Sequence, residues 1–174
     1  MRFKINEIGA EGLPLKVAVT ADWVAAACPD IEARPAGKGL ALVGRLEKMG
    51  DDYLLRANLR GEMETTCARC LERAVVRVDV PLAVTFVSTD ADKTDDDEDP
   101  DVIAFTGNEI DVGEEVRDEL LLTLPINPAC KESCRGLCPV CGANLNLARC
   151  GCKAETVPAG AFAALGKVKL SNSR

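Results

Sequence analysis

The chain has 174 residues, of which 47% are hydrophobic and 3% are aromatic, with a net charge of −7 and no histidine. That length suits one medium domain, or one domain with a small appendage. The missing histidine excludes histidine-based acid–base catalysis and histidine metal ligation. The scarcity of aromatic residues argues against an extended base-stacking platform for single strands. The sequence has no apolar run of about 18 residues, so no membrane-spanning helix is expected.

The first third of the chain predicts two short strands, a helix and a loop. Phe3, Ile5 and Ile8 predict a short first strand, and the alternation of residues 15–19 predicts a second. Residues 20–27 predict a short helix that Thr20 or Asp22 caps. Pro29, Pro35 and Gly37 then predict a loop.

Three longer β segments follow, at residues 40–46, 53–64 and 74–86. The second has one apolar and one polar face, which is typical of a strand with one solvated side. The third repeats this alternation, and Pro81 within it predicts a sheet edge or a bulge. Cys67 and Cys70 lie between the second and third segments, so a hairpin turn would aim both thiols at one point.

An acidic region separates these strands from the C-terminal part. Residues 90–101 hold eight acids and one base, and we predict a flexible loop there because like charges repel. A phosphate mimic or a Mg²⁺ site is the alternative. Residues 102–105 predict a short strand, and residues 112–124 predict a helix with Asp111 and Glu114 in a capping-box pattern. Prolines end this helix.

Eight of the nine cysteines have spacings typical of tetrahedral metal sites. One set has the spacing Cys-x2-Cys-x8-Cys-x-Cys and predicts a local zinc site: Cys138, Cys141, Cys150 and Cys152. The two remaining pairs predict a second site that joins distant segments: Cys67, Cys70, Cys130 and Cys134. We therefore expect one or two Zn²⁺ ions per chain, with the exchange of Cys134 for Cys152 as an open alternative. An iron–sulfur cluster, a redox Cys-x-x-Cys motif and disulfides are less favoured readings.

The predicted fold is α+β. We expect an antiparallel β-sheet or partial barrel with a capped acidic helix over residues 1–129, and a Cys-rich, zinc-ribbon-like element with a basic tail over residues 130–174. Residues 125–174 carry seven bases and two acids, so an anionic partner would bind at that end. Phe162, Leu165 and Val168 predict a tail helix that docks on the domain or contacts an acidic partner. Cys28, the ninth cysteine, predicts a small buried side chain.

No catalytic constellation is present in the sequence. It lacks histidine, a Gly-x-Ser-x-Gly motif, a P-loop and a dinucleotide-binding glycine motif. A zinc ion with four sulfur ligands has no open position for water. We therefore expect a protein without enzymatic activity. The first residues lack the apolar stretch of a signal peptide, which favours the cytoplasm.

Several of these segments together resemble the bacterial YceD family, which is named for large ribosomal RNA subunit accumulation. They are residues 66–71 (Thr-Cys-Ala-Arg-Cys-Leu), the acidic stretch after the third β segment, residues 110–125, residues 134–146 and the tail residues 162–165. The resemblance implies a cytosolic, non-catalytic factor for 23S ribosomal RNA accumulation and large-subunit assembly. It also implies association with that RNA or with a pre-ribosomal particle. Family members differ in their number of cysteines, so the zinc prediction depends on the spacing in this chain.

Two functional hypotheses follow, and a thiol redox protein is a third. In the first, the protein contacts RNA phosphates through clustered cations. The predicted contact residues are Arg69, Arg73, Arg135, Arg149, Lys153, Lys167 and Lys169. In the second, the protein is a zinc-stabilised adaptor whose acidic helix and loop hold a basic ribosomal protein.

Overall fold

A computed structural model of the chain describes residues 1–89 and 102–152. The predicted acidic loop at 90–101 and the predicted tail helix, with Lys153, Lys167 and Lys169, lie outside the described residues. The chain divides into two compact units, Met1–Cys134 and Arg135–Arg174. Neither helix in the described part of the chain is long and apolar enough to cross a bilayer.

The described residues of the first unit form seven strands, two α-helices and one 3₁₀ turn. In chain order they are β1 (Arg2–Lys4), the 3₁₀ turn (Ile5–Glu7), β2 (Leu13–Val19), α1 (Ala21–Ala27), β3 (Ala33–Met49), β4 (Asp52–Thr66), β5 (Arg73–Ser88), β6 (Val102–Phe105), β7 (Glu109–Asp111) and α2 (Gly113–Thr123). This content confirms the α+β prediction. The first predicted strand is shorter than expected, because the chain turns at Ile5.

Over residues 1–89 and 102–152, the main sheet has five strands in the order β2-β3-β4-β5-β6, while β1 and β7 form a separate antiparallel pair. The pairs from β2 to β5 are antiparallel, as predicted, but β6 lies parallel to β5. The sheet is therefore mixed. A parallel pair needs a crossover connection of about a dozen residues, and the segment between Ser88 and Val102 supplies that length.

The predicted apolar faces of the long strands form the core. Leu42, Leu55 and Leu59 are fully buried. Both helices contribute to the same cluster, through Val24 of α1 and the buried side chains of α2. Each such side chain contributes about 1.5–3 kcal/mol when it is removed from water. The other face of the sheet is polar and solvated, and it is called the outer face below.

The predicted loop around Pro35 and Gly37 is wrong, because β3 already begins at Ala33. The register between β3 and β4 shifts between Ala36 and Leu40. Gly37 and Gly39 both have positive φ values there, of 59° and 86°. The glycine signal therefore marks a bulge inside one long strand.

Both helices begin near the predicted residues, but only one has the predicted cap. The Oγ1 of Thr20 accepts a hydrogen bond from the amide of Trp23 at 3.2 Å and caps α1. The predicted capping box of α2 is wrong, because its N-cap is Val112 and no side chain caps it. Asp111 precedes the N-cap by one residue, and its carboxylate accepts a hydrogen bond from the amide of Gly113 at 2.9 Å.

Pro81 lies where β5 has no neighbour on one side within the described residues. It faces Asn58 of β4, whereas β6 pairs only with Thr85–Ser88. Proline cannot donate a ladder hydrogen bond, so it is tolerated at such an edge. The predicted edge position of Pro81 is therefore confirmed.

Two four-cysteine clusters as candidate metal centres

The first cluster, called the hairpin cluster, joins the tip between β4 and β5 to the segment after α2. It consists of Cys67, Cys70, Cys130 and Cys134, whose sulfur atoms all lie within 4.8 Å of one another. The Sγ atoms of Cys67 and Cys134 are 3.8 Å apart, and those of Cys70 and Cys130 are 3.6 Å apart. A zinc ion with Zn–S bonds of about 2.3 Å holds its sulfurs about 3.8 Å apart. The spacing therefore fits one tetrahedral ion.

The hairpin tip forms a tight turn that directs both of its thiols to one side. The amide of Cys67 donates to the carbonyl of Glu72 at 2.8 Å, and the amide of Leu71 donates to the carbonyl of Cys67 at 3.0 Å. Leu71 has a φ of 60°, which is the left-handed conformation that costs a non-glycine residue about 1–2 kcal/mol. Such strain persists only where the surrounding structure imposes it, and it is typical of functional sites.

Among the described residues, at least three hydrogen bonds attach the segment after α2 to this tip, besides the sulfur contacts. The amide of Ala68 donates to the carbonyl of Pro128 at 2.8 Å. The guanidinium of Arg69 donates to the carbonyls of Glu132 and Cys134, at 3.3 and 3.2 Å. Arg69 was predicted to contact RNA, and in the structure it also holds this segment. The sequence contained no signal for that second role, because both acceptors are backbone carbonyls.

The second cluster, called the C-terminal cluster, lies within the second unit. It consists of Cys138, Cys141, Cys150 and Cys152, again with all sulfurs within 4.8 Å of one another. The amide of Gly142 donates to the carbonyl of Cys138 at 2.9 Å, and Gly142 has a φ of 72°. In both turns the amide of the fourth residue after the first cysteine donates to the carbonyl of that cysteine. The donor residue has a left-handed φ in both, and it is Leu71 in the hairpin tip and Gly142 here. The two clusters thus share one local geometry.

Short-range hydrogen bonds form the rest of the second unit in its described part. Leu137 and Asn144 form an isolated antiparallel bridge. The side chain of Asn146 accepts the amide of Arg135 at 2.9 Å, and that of Asn144 accepts the amide of Asn146 at 2.9 Å. No hydrophobic core cluster is found here within the described residues. Such a short segment needs a cross-link or a metal to stay folded.

One thiol in each cluster is held in its charged form. The backbone amide of Cys130 lowers the pKa of Cys67 to about 6, against burial, which raises it. The backbone amide of Cys141 likewise lowers the pKa of Cys138 to about 6. Burial, assisted by neighbouring thiols, raises the pKa of Cys130 to about 12. At neutral pH each metal-free cluster therefore offers at least one thiolate, the form that binds metal.

The clusters differ in their access to solvent. Cys67, Cys70 and Cys134 are buried in the hairpin cluster, with Cys67 fully inaccessible. In the C-terminal cluster, Cys141 and Cys152 are exposed. A chelator would therefore reach a metal in the second cluster more easily than one in the first. None of the nine cysteines, all of which lie in the described residues, forms a disulfide.

The predicted basic residues in the described part of the chain are divided between the two units. Arg73 forms an ion pair with Glu64. The carboxylate of Glu64 forms a second ion pair with Arg34, at 2.6 Å. Arg135 and Arg149 are exposed in the second unit. Charge on Arg73 is thus partly neutralised, whereas Arg135 and Arg149 remain predictions as RNA contacts.

Comparisons with known proteins identify the family. A family model described as large ribosomal RNA subunit accumulation protein YceD matches residues 55–169. The chain belongs to the YceD family. The matched region includes all eight clustered cysteines, so both clusters lie within the part that the family model covers. No solved structure shows significant similarity to the chain.

The similar curated proteins are bacterial and plant sequences. An uncharacterized protein of Mycobacterium tuberculosis is 32% identical over 101 residues, which cover 58% of this chain and 49% of that protein. The chloroplastic YCED homolog 1 of Arabidopsis thaliana is 38% identical over 61 residues, covering 35% of this chain and 19% of that protein. Its Zea mays counterpart is 42% identical over 50 residues, covering 28% and 17%. The match thus spans about half the length of the mycobacterial relative.

Proposed function

We propose that this chain supports the accumulation of 23S ribosomal RNA and the assembly of the large ribosomal subunit. It acts in the cytoplasm without catalysing a reaction, in association with that RNA or with a pre-ribosomal particle. The observation that carries this proposal is membership of the YceD family over residues 55–169. The plant relatives are named for the same accumulation of large-subunit RNA.

In this proposal each cluster holds one structural Zn²⁺ ion, which gives two ions per chain. The sulfur spacing of 3.6–3.8 Å in the hairpin cluster supports a single ion with four ligands. In an iron–sulfur cluster the four cysteines are shared between at least two iron atoms, so the sulfurs on different irons lie farther apart than the 4.8 Å that limits every pair here. Zinc closed by four sulfurs acts as a scaffold, because no position remains for a reacting water. The C-terminal cluster would then be a small zinc-ribbon-like element.

Metal analysis of the natively purified protein tests the zinc part. We expect about two zinc ions per chain, with thiols that react slowly until a chelator is added. A zinc content near zero together with freely reactive thiols would instead support the redox alternative. Iron in place of zinc would contradict the structural-zinc proposal.

The cellular role is tested by depletion of the protein. We expect the ratio of 23S to 16S ribosomal RNA to fall and large-subunit precursors to accumulate in sucrose gradients. Crosslinking in cells followed by RNA sequencing should recover 23S fragments. An unchanged RNA ratio after depletion would refute the role.

A second candidate function is an adaptor for a basic ribosomal protein, and the surface of α2 supports it. This helix carries four acids and one base. Beside its C-terminal end, a groove of about 440 Å³ is lined mainly by apolar groups, including Leu121, Leu124 and Ile126. Ile126 is 96% exposed. Recovery of a basic ribosomal protein without 23S fragments in the crosslinking experiment would favour this adaptor.

A further inference from the structure

The outer face of the main sheet carries two arginines at directly opposed positions. Arg45 of β3 pairs with Arg56 of β4 in the register, so both side chains lie on the same face. Both are exposed. Like charges at opposed positions destabilise a sheet, whereas opposite charges stabilise it. A pair that breaks this rule without local compensation points to a function.

Other arginines on the same face follow the rule. Arg60 forms an ion pair with Asp79 at 2.8 Å, and Arg77 is opposed by Glu62 in the register. The salt bridges among the described residues include neither Arg45 nor Arg56. Within the described residues, arginines at one end of the face are opposed by acids, whereas Arg45 and Arg56 oppose each other and form no ion pair.

The residues beside the two arginines extend a basic patch. The outer neighbours of the pair are Pro14 on β2 and Ala83 on β5, which carry no charge. Lys16 lies diagonally from Arg45, because it pairs with Val43 two residues earlier in β3. We call Lys16, Arg45 and Arg56 the sheet patch. It crosses three neighbouring strands.

One arginine of the sheet patch is held in place. The Nη1 of Arg45 donates to the carbonyl of Glu11, which leaves its other N–H groups without a partner among the described residues. A groove of about 550 Å³ lies beside the pair, and Glu11, Glu47 and Lys48 also line it. Glu47 lies on the same face as the patch, two residues after Arg45 and diagonally opposite Arg56. Neither acid forms an ion pair with the patch among the described residues. A guanidinium that is fixed in this way is preorganised to bind an anion.

We propose that the sheet patch binds the phosphate backbone of double-helical ribosomal RNA, which rests on the proposed association of the chain with that RNA. Arginine binds phosphate oxygens through paired N–H donors. The described outer face has no aromatic side chain, since Tyr53 and Phe86 of these strands are buried on the opposite face. Contacts from this face therefore go to phosphates rather than to stacked bases, as in shape-based recognition of duplex RNA.

The net charge of the sequence does not indicate a basic surface on this sheet. Residues 1–89 hold twelve acids and twelve bases, so their net charge is zero. Only the strand register places Arg45 against Arg56 and Asp79 beside Arg60. The sheet patch is therefore distinct from the basic residues that the sequence predicted.

The test is salt-dependent binding of the full-length zinc-loaded protein to a labelled RNA duplex of about 20 base pairs. We expect the double variant Arg45→Gln/Arg56→Gln to bind more weakly by a factor on the order of 10 to 100 at about 0.1 M KCl. The slope of log affinity against log salt should fall by about two, one for each lost phosphate contact. The thermal midpoint should stay the same or rise, because the like-charge pair is removed.

The matched control is Arg60→Gln/Arg77→Gln, which makes the same chemical change on the same face. Since these arginines face acids, the control should bind within about threefold of the parent protein, with the same salt slope. Equal binding by the parent and by Arg45→Gln/Arg56→Gln would overturn the sheet patch and leave the proposed function intact. If the parent protein does not bind the duplex even at low salt, the proposal that the sheet patch binds RNA is overturned. The association of the chain with 23S RNA is tested separately, and the absence of 23S crosslinks in cells would overturn it. If poly-glutamate displaces the duplex at equal charge concentration, the patch binds an acidic protein instead.

Discussion

We expect the substitution Cys67→Ser to remove one zinc ion and to release residues 125–134 from the hairpin tip. Cys67 is fully buried, and its Sγ lies 3.8 Å from that of Cys134. A serine hydroxyl cannot replace a thiolate in a four-sulfur zinc site. The core of the first unit does not include this cluster, so the sheet should stay folded.

The magnitude follows from the few contacts that hold the segment. Ordering the backbone of one residue costs about 1–2 kcal/mol of conformational entropy, so ordering the ten residues 125–134 costs about 10–20 kcal/mol. The three hydrogen bonds that Ala68 and Arg69 donate to the segment each stabilise the attachment by about 1 kcal/mol. The difference is about 7–17 kcal/mol, which is comparable with the 10–16 kcal/mol of structural zinc binding. Without the metal the segment should therefore detach.

Limited proteolysis with trypsin measures this release, because Lys131 lies exposed inside the segment. In Cys67→Ser, cleavage after Lys131 should become fast, and the zinc content should fall from about two to about one. The control is Cys28→Ala, which removes a buried thiol outside both clusters. It should keep both ions and the slow cleavage. Equal zinc content and equal cleavage in the two variants would refute the reasoning.

Two further predictions concern pH and backbone packing. The pKa of about 6 in metal-free Cys67 and Cys138 means that each is a thiolate above that pH and a thiol below it. Zinc affinity in competition titrations should therefore fall as pH decreases and fall most steeply below about pH 6; a flat profile would contradict this. Gly44→Ala should lower the free energy of unfolding by about 1–3 kcal/mol, because its Cβ would lie 2.2 Å from the carbonyl oxygen of Arg56. The urea midpoint should fall accordingly. Gly9→Ala, with nothing within 4 Å of its Cβ, is the control and should change little.

Local pattern was sufficient for most elements. Period-two alternation predicted β4 and β5 and the buried face that carries Leu55 and Leu59. Thr20 marked the start of α1 because its hydroxyl satisfies a free amide there. Local pattern gave a wrong prediction where one residue type is compatible with two structures. Glycine favours a bulge as well as a loop, and at Gly37 and Gly39 the long pairing of β3 with β4 selected the bulge.

The amino-acid sequence determined which residues take part in the candidate metal centres, because cysteine spacing is a local property of the chain. It predicted the local cluster from its spacing and the distant pairs by elimination. The tertiary structure decided that Cys67 and Cys70 meet Cys130 and Cys134, since only the folded chain brings residues so far apart in sequence within sulfur-contact distance. It also decided the parallel pairing of β6 and the opposition of Arg45 and Arg56. Both depend on strand register, which the net charge and the local pattern of a sequence do not contain.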